Sequence, residues 1–155
     1  MDHSTKAAEL FLQGYNCAQA VEVAFCDLTG LEQEYTAKLV SGFGGGFGGL
    51  REVCGAVSGM YFVMGHLYGY ESPTDDAAKK EMYSRVRGLA EKFKEETGSV
   101  ICRELLKNPN PDPNPSPRTA EYYAKRPCAR MVMVAARLID AFIAENPVQY
   151  GNGTE

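Results

Sequence analysis

Apolar residues recur at helical rather than strand spacing along almost the whole chain. Ser4 is placed to cap a first helix over about 5–13, which Gly14 stops. Asn16 is placed to cap a second over about 17–28, with Cys17, Val21, Ala24, Phe25 and Leu28 as its apolar stripe and Gly30 as its stop. A third is predicted over about 32–41. The run 42–49 holds six glycines and reads as a loop. A fourth helix follows over about 50–69, with Val53, Val57, Met60, Tyr61, Met64, Leu67 and Tyr68 on a broad face.

The fifth, over about 75–97, starts at Thr74 or Asp75 and ends at Gly98. Its stripe is narrow (Met82, Val86, Leu89, Phe93) and its other faces are charged, so it belongs on the outside. Ser99 is placed to cap a short sixth helix through about Lys107. The stretch NPNPDPNPSP then puts a proline at every second position from 109 to 117, which no helix can cross. It reads as an extended surface connection. A last helix begins near Pro127 and carries Cys128, Met131, Val132, Ala135, Leu138, Ile139, Phe142 and Ile143 at helical spacing. The tail 147–155 reads as loose. The pattern predicts an all-α fold, a single-domain bundle of about six to seven helices. Residues 1–155 form one domain in this reading, with 108–126 as a proline-rich surface connection inside it.

Composition narrows this little. A chain of 155 residues with 45% hydrophobic content can bury one core. A net charge of −4 argues against nucleic acid as a partner. The N-terminal stretch has no basic region followed by an apolar one, and no apolar run approaches the ~20 residues of a membrane helix. The expectation is a cytoplasmic protein without a membrane partner. There, five cysteines are not a disulfide framework, and metal binding or thiol redox chemistry gains weight.

The cysteines change the picture most. Cys17 follows the cap Asn16, Cys54 lies in or near the first turn after the glycine run, Cys102 follows the cap Ser99, and Cys128 follows Pro127. Each stands at or near a predicted helix start, where unpaired N–H groups and the dipole favour a thiolate. Lys125, Arg126 and Arg130 flank Cys128. Cys26 is the exception, near the C-terminal end of its helix. Helix starts can converge at one end of a bundle, and four thiolates there need a cation, an iron–sulfur cluster or oxidation in pairs. The plainer reading is that each cysteine is a small buried hydrophobe. No two are spaced as CxxC.

The order Cys17, then CGAVSG at 54–59, then Cys102 and Cys128, resembles the redox-active protein family named for its C_GCAxxG_C_C pattern. Cys54, Gly55, Ala56 and Gly59 match the central CGAxxG motif position by position, and the resemblance runs from GYNCAQAV to RPCARMV. It implies a helical domain with four functional cysteines, a redox role and a bound prosthetic group, foremost an iron–sulfur cluster. Cys26 lies outside the pattern and reads as core filling.

Other features stay secondary. The glycine run lacks the Lys-Ser/Thr ending of a phosphate loop. Its backbone N–H groups at Gly45–Gly49 are better read as donors to thiolates or cluster sulfurs. His3 and His66 read as a tail and a helix histidine, and Met60, Met64, Met131 and Met133 as packing. Tyr122 and Tyr123 would anchor the proline segment or simply be exposed. Gly55 and Gly59 share a face that admits another backbone, which leaves a homodimer open.

The resulting expectation is an electron-transfer protein, or an oxidoreductase, whose Cys17, Cys54, Cys102 and Cys128 ligate an iron–sulfur cluster, [2Fe–2S] before [4Fe–4S]. A redox partner protein, not named by the sequence, would go with it. The alternatives are a thiol–disulfide oxidoreductase without a metal and a structural zinc site.

Overall fold

The computed structural model describes residues 1–108 and 110–150. Among these residues the fold is all-α, with ten helices, a short 3-10 turn and no strand. The expected loose tail falls partly on residues 151–155, and the expected extended stretch includes position 109; both lie outside the described residues.

Helix α1 (His3–Leu12) starts earlier than expected, because Asp2 rather than Ser4 caps it through the Thr5 N–H. Helix α2 (Cys17–Ala24) begins where expected. The Asn16 side chain accepts from the Gln19 N–H, and the Gln19 side chain returns the bond to the Asn16 N–H. The expected single helix over 17–28 is broken at Phe25, and a separate turn, α3 (Cys26–Thr29), follows. Burial on α2 is not confined to a stripe. Ala18, Ala20, Val21, Glu22, Val23 and Ala24 are all buried, because α1, α4 (Gln33–Leu39), α6 (Gly55–Tyr68) and α10 (Cys128–Glu145) surround it.

After α4 the glycine run is not open loop. A 3-10 turn (Ser41–Phe43) leads into a single turn, α5 (Gly44–Phe47), in which Gly45 and Gly46 take left-handed φ of 64° and 67°. Residues 50–54 are not helical, contrary to expectation, and α6 starts only at Gly55 with Cys54 as its cap residue. Pairing on both sides keeps the chain there out of a helix. Arg51 and Glu52 N–H groups donate to the Gly45 and Gly46 carbonyls. Across from them, Val53 pairs with Ile101; Cys54 N–H donates to Val100 O (2.8 Å) and Cys102 N–H to Glu52 O (2.6 Å).

Helix α7 (Asp76–Thr97) matches the expectation, capped by Asp75 and stopped by left-handed Gly98. It buries Met82, Leu89 and Phe93 and leaves its charged faces outside. Helix α8 is only Cys102–Leu105, and Ser99 does not cap it; its hydroxyl bonds the Ile101 N–H and the Glu104 carboxylate. Within the 108–126 connection lies a helix the pattern missed, α9 (Ala120–Lys125), capped by Thr119. The strong i+3/i+4 apolar pattern of α10 places it against α1, α2, α6 and α7, with Met131, Val132, Ala135, Leu138 and Ile139 in the core.

The glycine face of α6 is occupied from within. A Cβ on Gly55 would stand 3.0 Å from Cys17 Cβ, and one on Gly59 would stand 2.8 Å from Ala18 O. The backbone that approaches is therefore that of α2, and this face is not free for a second subunit. No described helix is long and apolar enough to cross a membrane.

Candidate functional site

Four separate elements deliver the cysteines. Cys17 and Cys128 are the first residues of α2 and α10, Cys102 is the first of α8, and Cys54 caps α6. The pairing of 51–54 with 100–103 brings Cys54 and Cys102 onto neighbouring backbone. The tight packing of Gly55 on α2 brings Cys17 beside them. All four line one cavity of about 60 Å³. That is several times the ~10–15 Å³ one water needs, so the space between the sulfurs is more than a packing defect. Cys54 is buried and the other three half-buried.

Cys26 does not join them. It opens α3 rather than closing a helix, so it too stands at a helix start, but its sulfur bonds Thr36 Oγ1 at 3.4 Å. A helix start by itself therefore does not place a cysteine in the cavity.

Three guanidinium groups also line it: Arg51, Arg118 and Arg126. Of the cations flanking Cys128 in sequence, only Arg126 is at the cavity. Lys125 pairs with Glu121 and Arg130 reaches the Glu96 carbonyl. Arg51 and Arg118 carried no sequence signal beyond being cations beside the glycine run and the proline stretch. Arg51 is unusual twice over. It holds a left-handed φ of 60°, a strained conformation for a side chain-bearing residue. It is also 7% exposed, with no partner for its buried Nε. Its Nη2 donates to Asp112 O (2.7 Å), and Arg126 Nη2 donates to Ser116 Oγ (3.1 Å). The proline segment is thereby strapped across the outer mouth of the cavity. Arg118 sits over the Phe11 and Tyr122 rings and donates to the Phe11 and Tyr15 carbonyls. Tyr122 lines the cavity, while Tyr123 packs edge-on against Phe11.

The thiols are not equivalent. Cys17 and Cys128 influence each other most, through a side-chain approach that raises Cys17 and lowers Cys128. Cys17 is pushed well up by that approach and by burial. Cys128 is held below the ordinary thiol range by the same approach, helped by Arg126, Arg118 and Arg51. Burial pushes Cys54 up to about 12. No side-chain hydrogen bond caps α6, yet the Ala56 and Val57 N–H groups lie close enough to pull Cys54 back toward its thiolate. Burial also raises Cys102, against the pull of Arg51. Of the glycine donors expected, Gly45 and Gly46 line the cavity. Gly48 spends its N–H on Gly44 O and belongs with Gly49 to the outer mouth.

The donor set can be tested against the groups it was expected to hold. Among the described residues no three His, Cys, Asp or Glu side chains are gathered tightly enough to hold one metal ion. A tetrahedral zinc site needs four donors at about 2.3 Å from a single point. A cluster spreads its cysteines over more than one iron and needs no such common point. It also carries negative charge, which suits the unpartnered Arg51 Nε and the two further arginines.

Fold and site together define an all-helical protein with four cysteines and three arginines around one internal cavity. The family model described as "Putative redox-active protein (C_GCAxxG_C_C)" matches residues 15–142, and the chain belongs to that family. No curated protein and no solved structure matches it.

Proposed function

We propose that this redox-family protein is an electron carrier whose Cys17, Cys54, Cys102 and Cys128 ligate an iron–sulfur cluster, [2Fe–2S] in preference to [4Fe–4S]. The observation that carries the reading is the shared cavity, lined by all four thiols and by Arg51, whose buried Nε has no partner. A cluster so held would supply one-electron transfer. The protein's part is to exclude bulk water with the proline segment and to offset thiolate charge with Arg51, Arg118 and Arg126. Ala56 and Val57 N–H groups near Cys54 favour its ionised form.

The test is anaerobic reconstitution with iron and sulfide, followed by absorption spectroscopy and iron and sulfide assays. Cys54→Ser should lose the bound iron, and Cys26→Ser should retain it. The opposite result would sink the ligand assignment.

A second reading has its own support in the Cys17–Cys128 approach, one thiol held protonated and the other poised as thiolate. Cys128 thiolate would attack a substrate disulfide, forming a mixed disulfide and expelling one thiolate. Cys17, losing its proton, would attack the Cys128 sulfur, closing Cys17–Cys128 and releasing the second thiol. The substrate disulfide is reduced by two electrons and the cysteine pair oxidised by two. An iron-free protein with a reversible Cys17–Cys128 disulfide selects this reading over the first.

A further inference from the structure

A second cavity, of about 350 Å³, opens between α2, the 31–39 segment and α6, and shares no residue with the cysteine cavity. Its walls are Leu31, Leu39, Tyr61 and Phe62, with His66 beside them. Glu22 also lines it. That carboxyl is 2% exposed, and its buried Oε2 accepts no hydrogen bond. An uncompensated buried carboxylate costs several kcal/mol, so such groups are normally paired. Among the described residues no ion pair or hydrogen bond reaches this carboxyl, and burial displaces its titration upward, to about 7. The carboxyl thus stands near the balance between neutral and charged forms, and an arriving cation tips it.

We propose that this cavity is a binding site for a small organic ammonium ion, its amine on Glu22 and its apolar body between Leu31, Leu39 and the α6 aromatics. The cavity volume falls within the ~300–1,000 Å³ usual for small-molecule sites. Tyr61 and Phe62 line the cavity with Glu22, and an aromatic ring near a cationic head adds attraction. Leu39 is 49% exposed, an apolar surface such a ligand would cover. The site rests on α2 beyond its cysteine, and the proposal does not depend on what occupies the cysteine cavity.

The test uses the full chain, reduced, at pH 8, with phenethylamine as probe and phenethyl alcohol as its uncharged counterpart. Backbone amide shifts are followed by NMR up to about 10 mM ligand. Saturable shifts at Leu31, Leu39 and Phe62 are expected with the amine, with at least about tenfold weaker binding of the alcohol. Glu22→Gln, which keeps size and removes charge, should weaken the amine about tenfold or more and leave the alcohol unchanged. Equal binding of amine and alcohol to the native protein would overturn the proposal without reference to any variant. So would the absence of saturable shifts, or an unchanged amine affinity in Glu22→Gln.

Discussion

Replacing Glu22 by glutamine should make the protein more stable, and only at neutral and alkaline pH. The Glu22 carboxyl is 2% exposed and titrates at about 7 instead of its ordinary 4.5, with burial as the cause. In the unfolded chain the same group releases its proton near 4.5. Between these values the folded state holds a proton that the unfolded state has lost, so raising the pH favours unfolding. The penalty is absent below about pH 4.5, grows through the window and is complete above about 7. A displacement of this size corresponds to about 3 kcal/mol. Glutamine fills the same volume and has no proton to lose.

The expected result is near-equal stability of native protein and variant at about pH 5. At about pH 8 the variant should gain up to about 3 kcal/mol, roughly 6–12 °C in Tm for a chain of this length. Thermal melts followed by circular dichroism in reducing buffer at both pH values measure the difference. The remaining titrating groups are common to both proteins and largely cancel. A pH-independent difference, or a variant less stable at pH 8, would refute the reasoning. Glu22 would then be an ionised group with a partner, and the case for an ammonium ligand would weaken with it.

The cysteine cavity allows further predictions. Gly46→Ala should cost about 2 kcal/mol or more, because φ is 67° and the new Cβ would stand 2.7 Å from Cys102 Cβ and from Arg51 Cα. It should also lower iron uptake by displacing Cys102; full iron content in a destabilised variant would separate the glycine turn from the site. In the reduced, iron-free protein Cys128 should be the first thiol alkylated near neutral pH, as peptide mass spectrometry would show. Cys17→Ser and Arg126→Met should each move the pH midpoint of that reaction upward, since each removes a cause of the lowered Cys128 titration. No movement in either variant would mean that Cys17 and the arginines do not set Cys128 reactivity.

Much of the architecture was legible because it is local. Helices α7 and α10 each carry a long apolar pattern of helical period, and caps such as Asn16 and Asp75 act within one turn of themselves. Where an element was misjudged, a longer-range contact overrode that signal. Residues 50–54 have a helix-compatible pattern, but pairing with the glycine turn and with 100–103 keeps them out of a helix. Helix α2 showed a stripe, yet neighbours on every side buried Glu22 along with the apolar residues. Helix α9 is short and follows five prolines, so periodicity had too little length to register.

The site divides the same way. By itself the sequence determined that Cys17, Cys54, Cys102 and Cys128 stand at or near helix starts, because a helix start is written in its capping residue and the few that follow. It set Cys26 apart by a helix end that the structure does not have, since Cys26 stands at a helix start as well. Tertiary structure alone decided that Cys26 meets Thr36 while Cys17, Cys54, Cys102 and Cys128 meet one another. It also brought Arg51 and Arg118 to the same cavity and turned the glycine face of α6 onto α2. The physical reason is that capping and periodicity act over a few residues. Which helix starts converge, and which charges go in unpaired, depends on segments far apart in sequence being packed into one interior.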